Sequence, residues 1–540
     1  MQNRSIIYAA LCVISSLLFF YPTYKYGFVT DFQSWIYKYE MGSWSDLKDC
    51  FDYPGLHHFF HLINFSLFKI IGKSLFGWYL VLATLHGING FLIYIWVRRM
   101  ISVFQLPDVA YIQWLVPVLF LFSPYAIEPV VWKACMHYLL SVGFIVGGLI
   151  LLLEYLQHKR GLWKVHLLFL LALLSLEISL AAPFIYLLFW VFYTLSFKTK
   201  DWIDTFIKVT LPQLGLLVLY FLANKWCLGS WVGHYGAESH LNFDLPLMAG
   251  NAFSYLGKQT LFLHYLPFKL RLSAYELINE PLVLIALIAL SLVMVIYYVT
   301  QFLRNGNRIY GLTVSSFIFF FFGLFPIANL YFFKLQWYEN DRYGYLASVF
   351  LSLFIALIFC HIKKKWLRHS VIFIYLAVMM YCSLQTLKAA YKAGNMMEEL
   401  VDDFNFYDRS EIFILAIPDN INGLQMFRDY SGNSLAFVET LYHYTDRQYE
   451  GTMTEIAQIN VLNSTDRIGV EQVDSLTFKV KNPQNGSWFW KDGIGMANYE
   501  TDQYTVTNHG WYYLLKFKEL KPNRTFLYFD NLKWKEAILD

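Results

Sequence analysis

Charge is scarce in this chain. Asp, Glu, Lys and Arg make up 15% of its 540 residues, against about a quarter in an ordinary soluble domain. The 42 basic and 39 acidic side chains leave a formal net charge of +3. That is too small and too evenly spread for a nucleic-acid partner. Cysteine is sparse as well: six residues, all between Cys12 and Cys382, with no CxxC pair and no regular spacing. That pattern gives no disulfide framework, and most of these cysteines read as small apolar side chains, with Cys50 and Cys227 left as two that could meet outside the membrane. Walker A, GxGxxG, GxSxG and HExxH patterns are all absent, so nucleotide-driven transport, dinucleotide binding and serine-hydrolase chemistry lack a starting point.

Apolar residues are what the chain has in excess. It is 57% hydrophobic and 20% aromatic, with a mean hydropathy of +0.41, which predicts an integral membrane protein. Runs of roughly 20 apolar residues, or somewhat fewer inside a bundle, suffice to cross the hydrocarbon layer. Eleven such runs can be marked off: Ser5 to Tyr21, Phe76 to Val97, Tyr111 to Pro124, His137 to Tyr155, Lys164 to Leu176, Leu180 to Phe197, Phe206 to Ala223, Pro281 to Leu303, Tyr310 to Leu330, Tyr343 to His361 and Ser370 to Leu387. The third and fifth are the shortest and the weakest as spans. No small-residue cleavage site follows Tyr21, so the first run is expected to be an uncleaved span rather than a signal peptide.

An N-terminus on the cytoplasmic side puts Arg98 and Arg99, Lys159 to Lys164, Lys198 and Lys200, Arg304 and Arg308, and Lys363 to Arg368 in loops on that side. All these loops are basic, as the positive-inside rule requires. Asp31, Glu40, Asp46, Asp49, Asp52, Glu128, Glu238, Asp244, Glu276, Glu280, Glu339 and Asp341 collect on the other side. An odd number of spans leaves the C-terminus outside too. Beyond Lys388 strand-length alternation appears in EIFILAIP, SLTFKVKN, GWYYLLKFKEL and RTFLYFDNL, separated by turn signals such as PDNING and KPN. The expected organisation is a polytopic α-helical membrane domain over 1–388, a helical connector over 389–408 and an extracytoplasmic β-rich domain over 409–540, in a bacterial inner membrane with its outer face in the periplasm.

Ionisable residues at span ends point to function unless they are paired or solvated. Four outer groups stand out: Asp31 in GFVTDFQSW, Glu128 and Lys133 in SPYAIEPVVWKACMHYLL, Glu177 in SLEISLAAPF, and Glu339, Asp341 and Arg342 in WYENDRYGYL. Each has an ordinary alternative: a solvated carboxylate at Asp31, a Glu128–Lys133 ion pair at the interface, Glu177 as a helix-end residue at the headgroups, or an aromatic belt of Trp337, Tyr338, Tyr343 and Tyr345. His57 and His61 would share a helix face, yet no third ligand accompanies them. A divalent metal has no further support, and an amphipathic surface helix is expected there.

Taken in order, these segments resemble the GT-C superfamily of integral membrane glycosyltransferases, and within it the protein O-mannosyltransferases and the TMTC-type O-mannosyltransferases. VTDFQSW is similar to the acidic motif after the first helix. The stretch from DYPGLHHFFHLINF to LHGINGFLIY is similar to a stretch rich in Leu-Asn, Phe-Gly and Leu-His pairs. SPYAIEPVVWKACMHYLL, SLEISLAAPF, YLPFKLRLSAYE and YENDRYGYLASVF resemble four later family segments. The resemblance covers about Asp31 to Phe350. Departures are Phe32 in place of a second acidic residue, Tyr53 where Arg precedes Pro54, Leu176 in place of Lys, and His137 in place of Arg. The C-terminal domain has no counterpart in the TPR tails or MIR domains of eukaryotic relatives.

The resemblance implies transfer of a sugar, with inversion, from a polyprenyl-phosphate carrier to a hydroxyl on a glycan, lipid or protein acceptor at the outer membrane face. It implies Asp31 as general base, Arg342 as the first candidate for the carrier phosphate, and Lys269 and Arg271 as the next. Glu128, Glu177, Glu339 and Asp341 would bind sugar or acceptor groups, or hold Arg342. His57 and His137 join that set, His57 as a stand-in for the arginine missing at Tyr53. Two readings compete: a transporter or flippase of lipid-linked glycans, disfavoured because the halves are unlike and the charges sit in outer loops, and a scaffold that displays the β-rich domain.

Overall fold

The structure, a computed structural model, describes residues 2–41, 58–106, 109–199, 202–229, 231, 244–330, 332, 341–406, 411–428, 436–463, 466–482, 489–490, 497–519, 521 and 523–538. His57 and Glu339, like Trp337 and Tyr338, lie outside the described residues, and Asp31 is described in its main chain alone.

The apolar runs of the sequence all fold as helix. In chain order the helices are α1 (Gln2–Phe20), α2 (Asp31–Met41), α3 (His58–Ile71), α4 (Leu75–Val103), α5 (Ile112–Leu121), α6 (Ile127–Val131), α7 (Met136–His158), α8 (Leu162–Leu173), α9 (Ala182–Phe197), α10 (Trp202–Leu228), α11 (Leu245–Leu261), α12 (Phe268–Asn279), α13 (Pro281–Asn305), α14 (Arg308–Leu324), α15 (Tyr345–Cys360), α16 (Lys365–Asp402) and α17 (Ala436–Thr445). Among the described residues, nine helices are long and apolar enough to cross a membrane. The two weakest runs of the sequence are the ones that fall short. The run ending at Pro124 is α5, which breaks and continues at 53° into Pro124–Val131. Ser123 caps the new turn by accepting from the Tyr125 amide, and Pro124 opens it, where a missing N–H costs nothing. The other, α8, has 12 residues and rises only about 18 Å, short of a hydrocarbon layer of about 30 Å.

Packing explains which helices form the inside. Helix α4 is the hub between α1 and α7. A Cβ on its Gly87 would meet Val13 Cα at 2.6 Å, so the absence of a side chain sets how closely α1 and α4 approach. Helix α13, by contrast, is almost wholly exposed, with Leu282, Ile285, Leu290 and Ile296 bare, as suits a helix with lipid around it. Helix α16 has 38 residues and a length of about 57 Å, longer than a hydrocarbon layer of about 30 Å, and it ends at Asp402, ahead of the β-rich part.

That part contains β1 (Glu411–Ile421), β2 (Leu424–Gln425), β3 (Thr452–Glu455), β4 (Gln458–Val461), β5 (Gly469–Asp474), β6 (Thr477–Lys481), β7 (Phe489–Trp490), β8 (Tyr499–Glu500), β9 (Tyr504–Asn508), β10 (Tyr512–Phe517), β11 (Arg524–Asp530) and β12 (Lys533–Ala537). One sheet is mixed: β1 runs parallel to β11 on one side and to β3 and β4 on the other, with β12 and β7 antiparallel at the edges. Helix α17 makes the crossover from β1 to β3. The stretch EIFILAIP, read as alternating, is buried continuously instead, because a central strand with parallel neighbours is covered on both faces. Its Pro418 sits at a register shift against β4, where a missing donor is tolerated. A second, antiparallel sheet, β5-β6-β10-β9-β8, packs on it: Phe413 meets the rings of Tyr504 and Phe517, and the Tyr513 hydroxyl donates to the Leu415 carbonyl.

Two fastenings of the β-rich part stand out among the described residues. Trp534 donates its indole N–H to Leu400 O at 2.7 Å and its amide to Asp403 at 2.7 Å, at the end of α16. Helix α17 then docks on α2. There His443 Nε2 donates to Gln33 O at 3.1 Å, and Lys73 bridges Glu40 and Asp446 at 3.1 and 2.8 Å. Burial, with a smaller contribution from Lys73, holds the His443 imidazole down at about 4, while its bond to Gln33 and the charges of Glu40 and Asp446 oppose that shift. Its folded pKa lies below the unfolded value, so the contribution of His443 to docking is complete above about pH 6.5 and is lost as pH falls toward 4, at up to about 1.4 kcal/mol per pH unit. The apparent melting temperature of the purified protein should therefore drop across that window, and His443→Gln should flatten the drop. Equal slopes in the two proteins would remove His443 from the account.

Candidate functional site

The bend between α5 and α6 delivers Glu128 into the interior, one residue into α6. Across from it, the short turn Asp341–Gly344 precedes α15. Glu128 takes both of its bonds from one residue of that turn: Oε2 accepts the Arg342 main-chain N–H at 2.7 Å and Oε1 accepts Nη1 at 2.6 Å. Arg342 Nη2 also donates to the Tyr343 hydroxyl at 3.2 Å, and the guanidinium lies 4.6 Å from the centre of the Trp132 ring and 4.5 Å from that of Tyr343. Ion pairing and ring stacking hold the planar group in one orientation.

Asp341, the preceding residue, pairs with Lys258 of α11, and both side chains are about 1% exposed. The Lys258 ammonium sits 5.6 Å from each of the Tyr125, Tyr255 and Phe332 ring centres. The Tyr125 hydroxyl donates to the Lys258 carbonyl. Close approach of α11 to the turn requires Gly344, where a Cβ would lie 2.2 Å from Gln259 Nε2; that amide reaches Gly344 O at 3.3 Å instead. Phe332 also touches His264 and Tyr275, and beside them the buried Arg271 donates Nη1 to His264 O at 3.3 Å. Burial, with Asp341 adding to it and Arg271 opposing, pushes the Tyr275 hydroxyl far above its ordinary range, so it stays a neutral hydrogen-bonding group.

Two neighbouring side chains tie this cluster to the segment that precedes α2. The Trp132 indole donates to Val29 O at 3.4 Å, and the buried Lys133 ammonium donates to Tyr26 O. One face of Trp132 meets Arg342 while its N–H reaches a residue two before Asp31, so the start of α2 lies beside the site. The interfacial pair expected of Glu128 and Lys133 is absent from these contacts: Glu128 is taken by Arg342, and Lys133 by the Tyr26 carbonyl.

The expected residues therefore divide. Glu128, Asp341, Arg342 and, behind Phe332, Arg271 come together; Asp31 joins them by the position of its main chain. Arg342 is held by Glu128, rather than by Asp341, whose partner is Lys258. His137 is half-buried between Phe60 and Tyr138, whose ring faces Tyr343, one ring removed from Arg342. Glu177 opens the turn Glu177–Ala181 and acts on Tyr220 of α10, at a different helix junction. Lys269 is exposed on the first turn of α12. Sequence reasoning passed over Lys258, although its signal was present: the one Lys, Arg, Asp or Glu within NAFSYLGKQTLFLHYLPF.

In this cluster Lys133, Lys258, Arg271 and Arg342 bring four largely buried basic groups beside the buried carboxylates of Glu128 and Asp341, and basic groups gathered in this way suit an anionic ligand. Two of the five guanidinium N–H groups of Arg342 are engaged by Glu128 and Tyr343, which leaves donors for phosphate oxygens. No metal-holding group of three or more His, Cys, Asp or Glu occurs among the described residues. Comparisons with protein-family models, with curated proteins and with solved structures find no match to this chain.

Proposed function

We propose that this protein is an inverting membrane glycosyltransferase of the GT-C kind, which takes a sugar from a polyprenyl-phosphate carrier at the outer face of a bacterial inner membrane. The observation that carries the reading is the buried Glu128–Arg342 pair beside Lys258 and Arg271, with the start of α2 bound to the same tryptophan that stacks on Arg342. In this chemistry Asp31 takes the proton of the acceptor hydroxyl, whose oxygen attacks the anomeric carbon. The bond from that carbon to the phosphate oxygen breaks, and the carrier phosphate leaves with its charge stabilised by Arg342 and Lys258. Water-poor, aromatic surroundings strengthen each of these electrostatic contacts. The long apolar helices fit a donor whose chain lives in the bilayer.

The test is transfer from a radiolabelled polyprenyl-phosphate sugar by purified protein in nanodiscs, across a panel of glycan, lipid and peptide acceptors. Arg342→Ala is expected to raise the donor KM by about tenfold or more, and Arg342→Lys to recover only part of it, since an ammonium cannot reproduce the bidentate fork. Unchanged donor saturation in Arg342→Ala would remove the phosphate assignment. Absence of label transfer to any acceptor by the unaltered protein, with the carrier bound, would end the enzymatic reading.

A further inference from the structure

The C-terminal part already has an anchor on α16, through Trp534. A domain merely tethered there would need no second contact, yet α17 makes a second and polar one with α2. Gln33 is buried and lies two residues after Asp31. Its Nε2 donates to Phe28 O at 2.8 Å and to the Thr440 hydroxyl, and its carbonyl accepts from His443 at 3.1 Å. Thr440 and His443 are three apart on α17, hence on one face of that helix. Phe28 packs edge-on against His443 at 5.7 Å, and Tyr26 donates its hydroxyl to Gln425 O at 2.6 Å. At Gly27 the approach is closest: a Cβ there would lie 2.4 Å from the Tyr444 hydroxyl.

Helix α2 needs such support. Eleven residues do not sustain an isolated helix. The residue before Asp31, Thr30, has φ of 53°, a conformation disfavoured for a β-branched residue and kept only where neighbours determine it. From the membrane part α2 is held by Trp35 against Phe60 and His61, and by the Tyr39 hydroxyl with His61 Nδ1 at 3.1 Å. From the other side it is held by α17.

We infer that the β-rich domain is a working part of the site: through Thr440 and His443 it grips Gln33 and so fixes the start of α2, making these three residues positioning residues for Asp31. The functional half of this inference rests on the glycosyltransferase reading, whereas the structural half does not.

Hydrogen exchange by mass spectrometry on the full chain in nanodiscs separates the two. In Thr440→Val and in His443→Leu, amides of Phe32–Met41 are expected to exchange about tenfold faster while α4 and α7 keep their protection. Label transfer from the polyprenyl-phosphate sugar is expected to lose about tenfold in kcat with donor KM within about twofold, the pattern of a misplaced base rather than a lost donor site. Thr440→Ser and His443→Gln, which retain the hydroxyl and a donor at the Nε2 position, are expected to restore both readouts. Unchanged exchange in α2 overturns the grip itself, whatever the activity. Faster exchange with unchanged kcat overturns the positioning role. If the unaltered protein transfers no sugar at all, the proposed function fails, and the exchange data still decide whether α17 holds α2.

Discussion

Lys258→Met is expected to cost the protein about 3–5 kcal/mol of stability, because it strands the Asp341 carboxylate in a place it cannot be hydrated. Both partners are almost fully buried, and three aromatic rings surround the ammonium. The pair is therefore worth little over an apolar replacement, but breaking one half is severe. Adding Asp341→Leu to Lys258→Met should recover most of the lost stability, since a buried pair replaced by apolar groups of similar volume is often neutral or better. The measurement is the apparent melting temperature in nanodiscs by intrinsic fluorescence, together with binding of a polyprenyl phosphate. The double variant is expected to melt near the unaltered protein yet bind the phosphate more weakly. Such a split would assign the pair to function, because its charges would then be dispensable for folding. A double variant no more stable than Lys258→Met sinks the stranded-charge argument, and one that binds phosphate normally removes Lys258 from the site.

This experiment also bears on why two opposite charges are adjacent in DRYG. Asp341 and Arg342 do not serve each other. One points to Lys258 and the other to Glu128, so the turn fastens two helical regions, α11 and α6, to the start of α15. Any motion of α11 relative to α6 would then be felt at both pairs.

Much of the architecture was legible because it follows from local composition. Long apolar runs became helices, and the two shortest runs became the bent α5–α6 unit and the short α8. Pro124 was the visible cause of the bend. What local pattern does not carry is partnership. Glu128 and Arg342 are 214 residues apart, and nothing in either neighbourhood names the other. Lys258 went unnoticed because α11 is only 17 residues long and lay outside the spans where an internal charge draws notice. In the C-terminal part the strands were visible, but their order was not. EIFILAIP is covered on one face by strands far along the chain, with Tyr513 98 residues beyond Leu415, and the helix that follows it, α17, proved to be one of those that touch α2.

Asp31→Asn is expected to lower transfer by about 10²–10⁴-fold, the usual worth of a general base, with the fold and the binding of polyprenyl phosphate preserved. The substitution keeps size and removes the charge, and asparagine suits a helix start as well as aspartate does. One feature of the fold makes this residue more decisive than it would be as one of two adjacent acids. Phe32, where a second acidic residue would stand in the family the chain resembles, is fully buried, with its ring 5.6 Å from Phe28, 5.9 Å from Trp35 and 5.0 Å from Trp78. That position belongs to the packing that seats α2, so it cannot be returned to a carboxylate without opening the core, and Phe32→Asp should destabilise rather than activate. With no neighbouring acid to share the proton, Asp31→Glu should recover only part of the rate, because its carboxylate is displaced by one methylene from a start of α2 that Trp132 and α17 hold still. The decisive measurement is single-turnover transfer with saturating donor, which isolates the chemical step from binding. A fully active Asp31→Asn protein would move the base elsewhere in the site. Of the described carboxylates there, Glu128 and Asp341 are already committed to Arg342 and Lys258, so the search would turn next to Glu339.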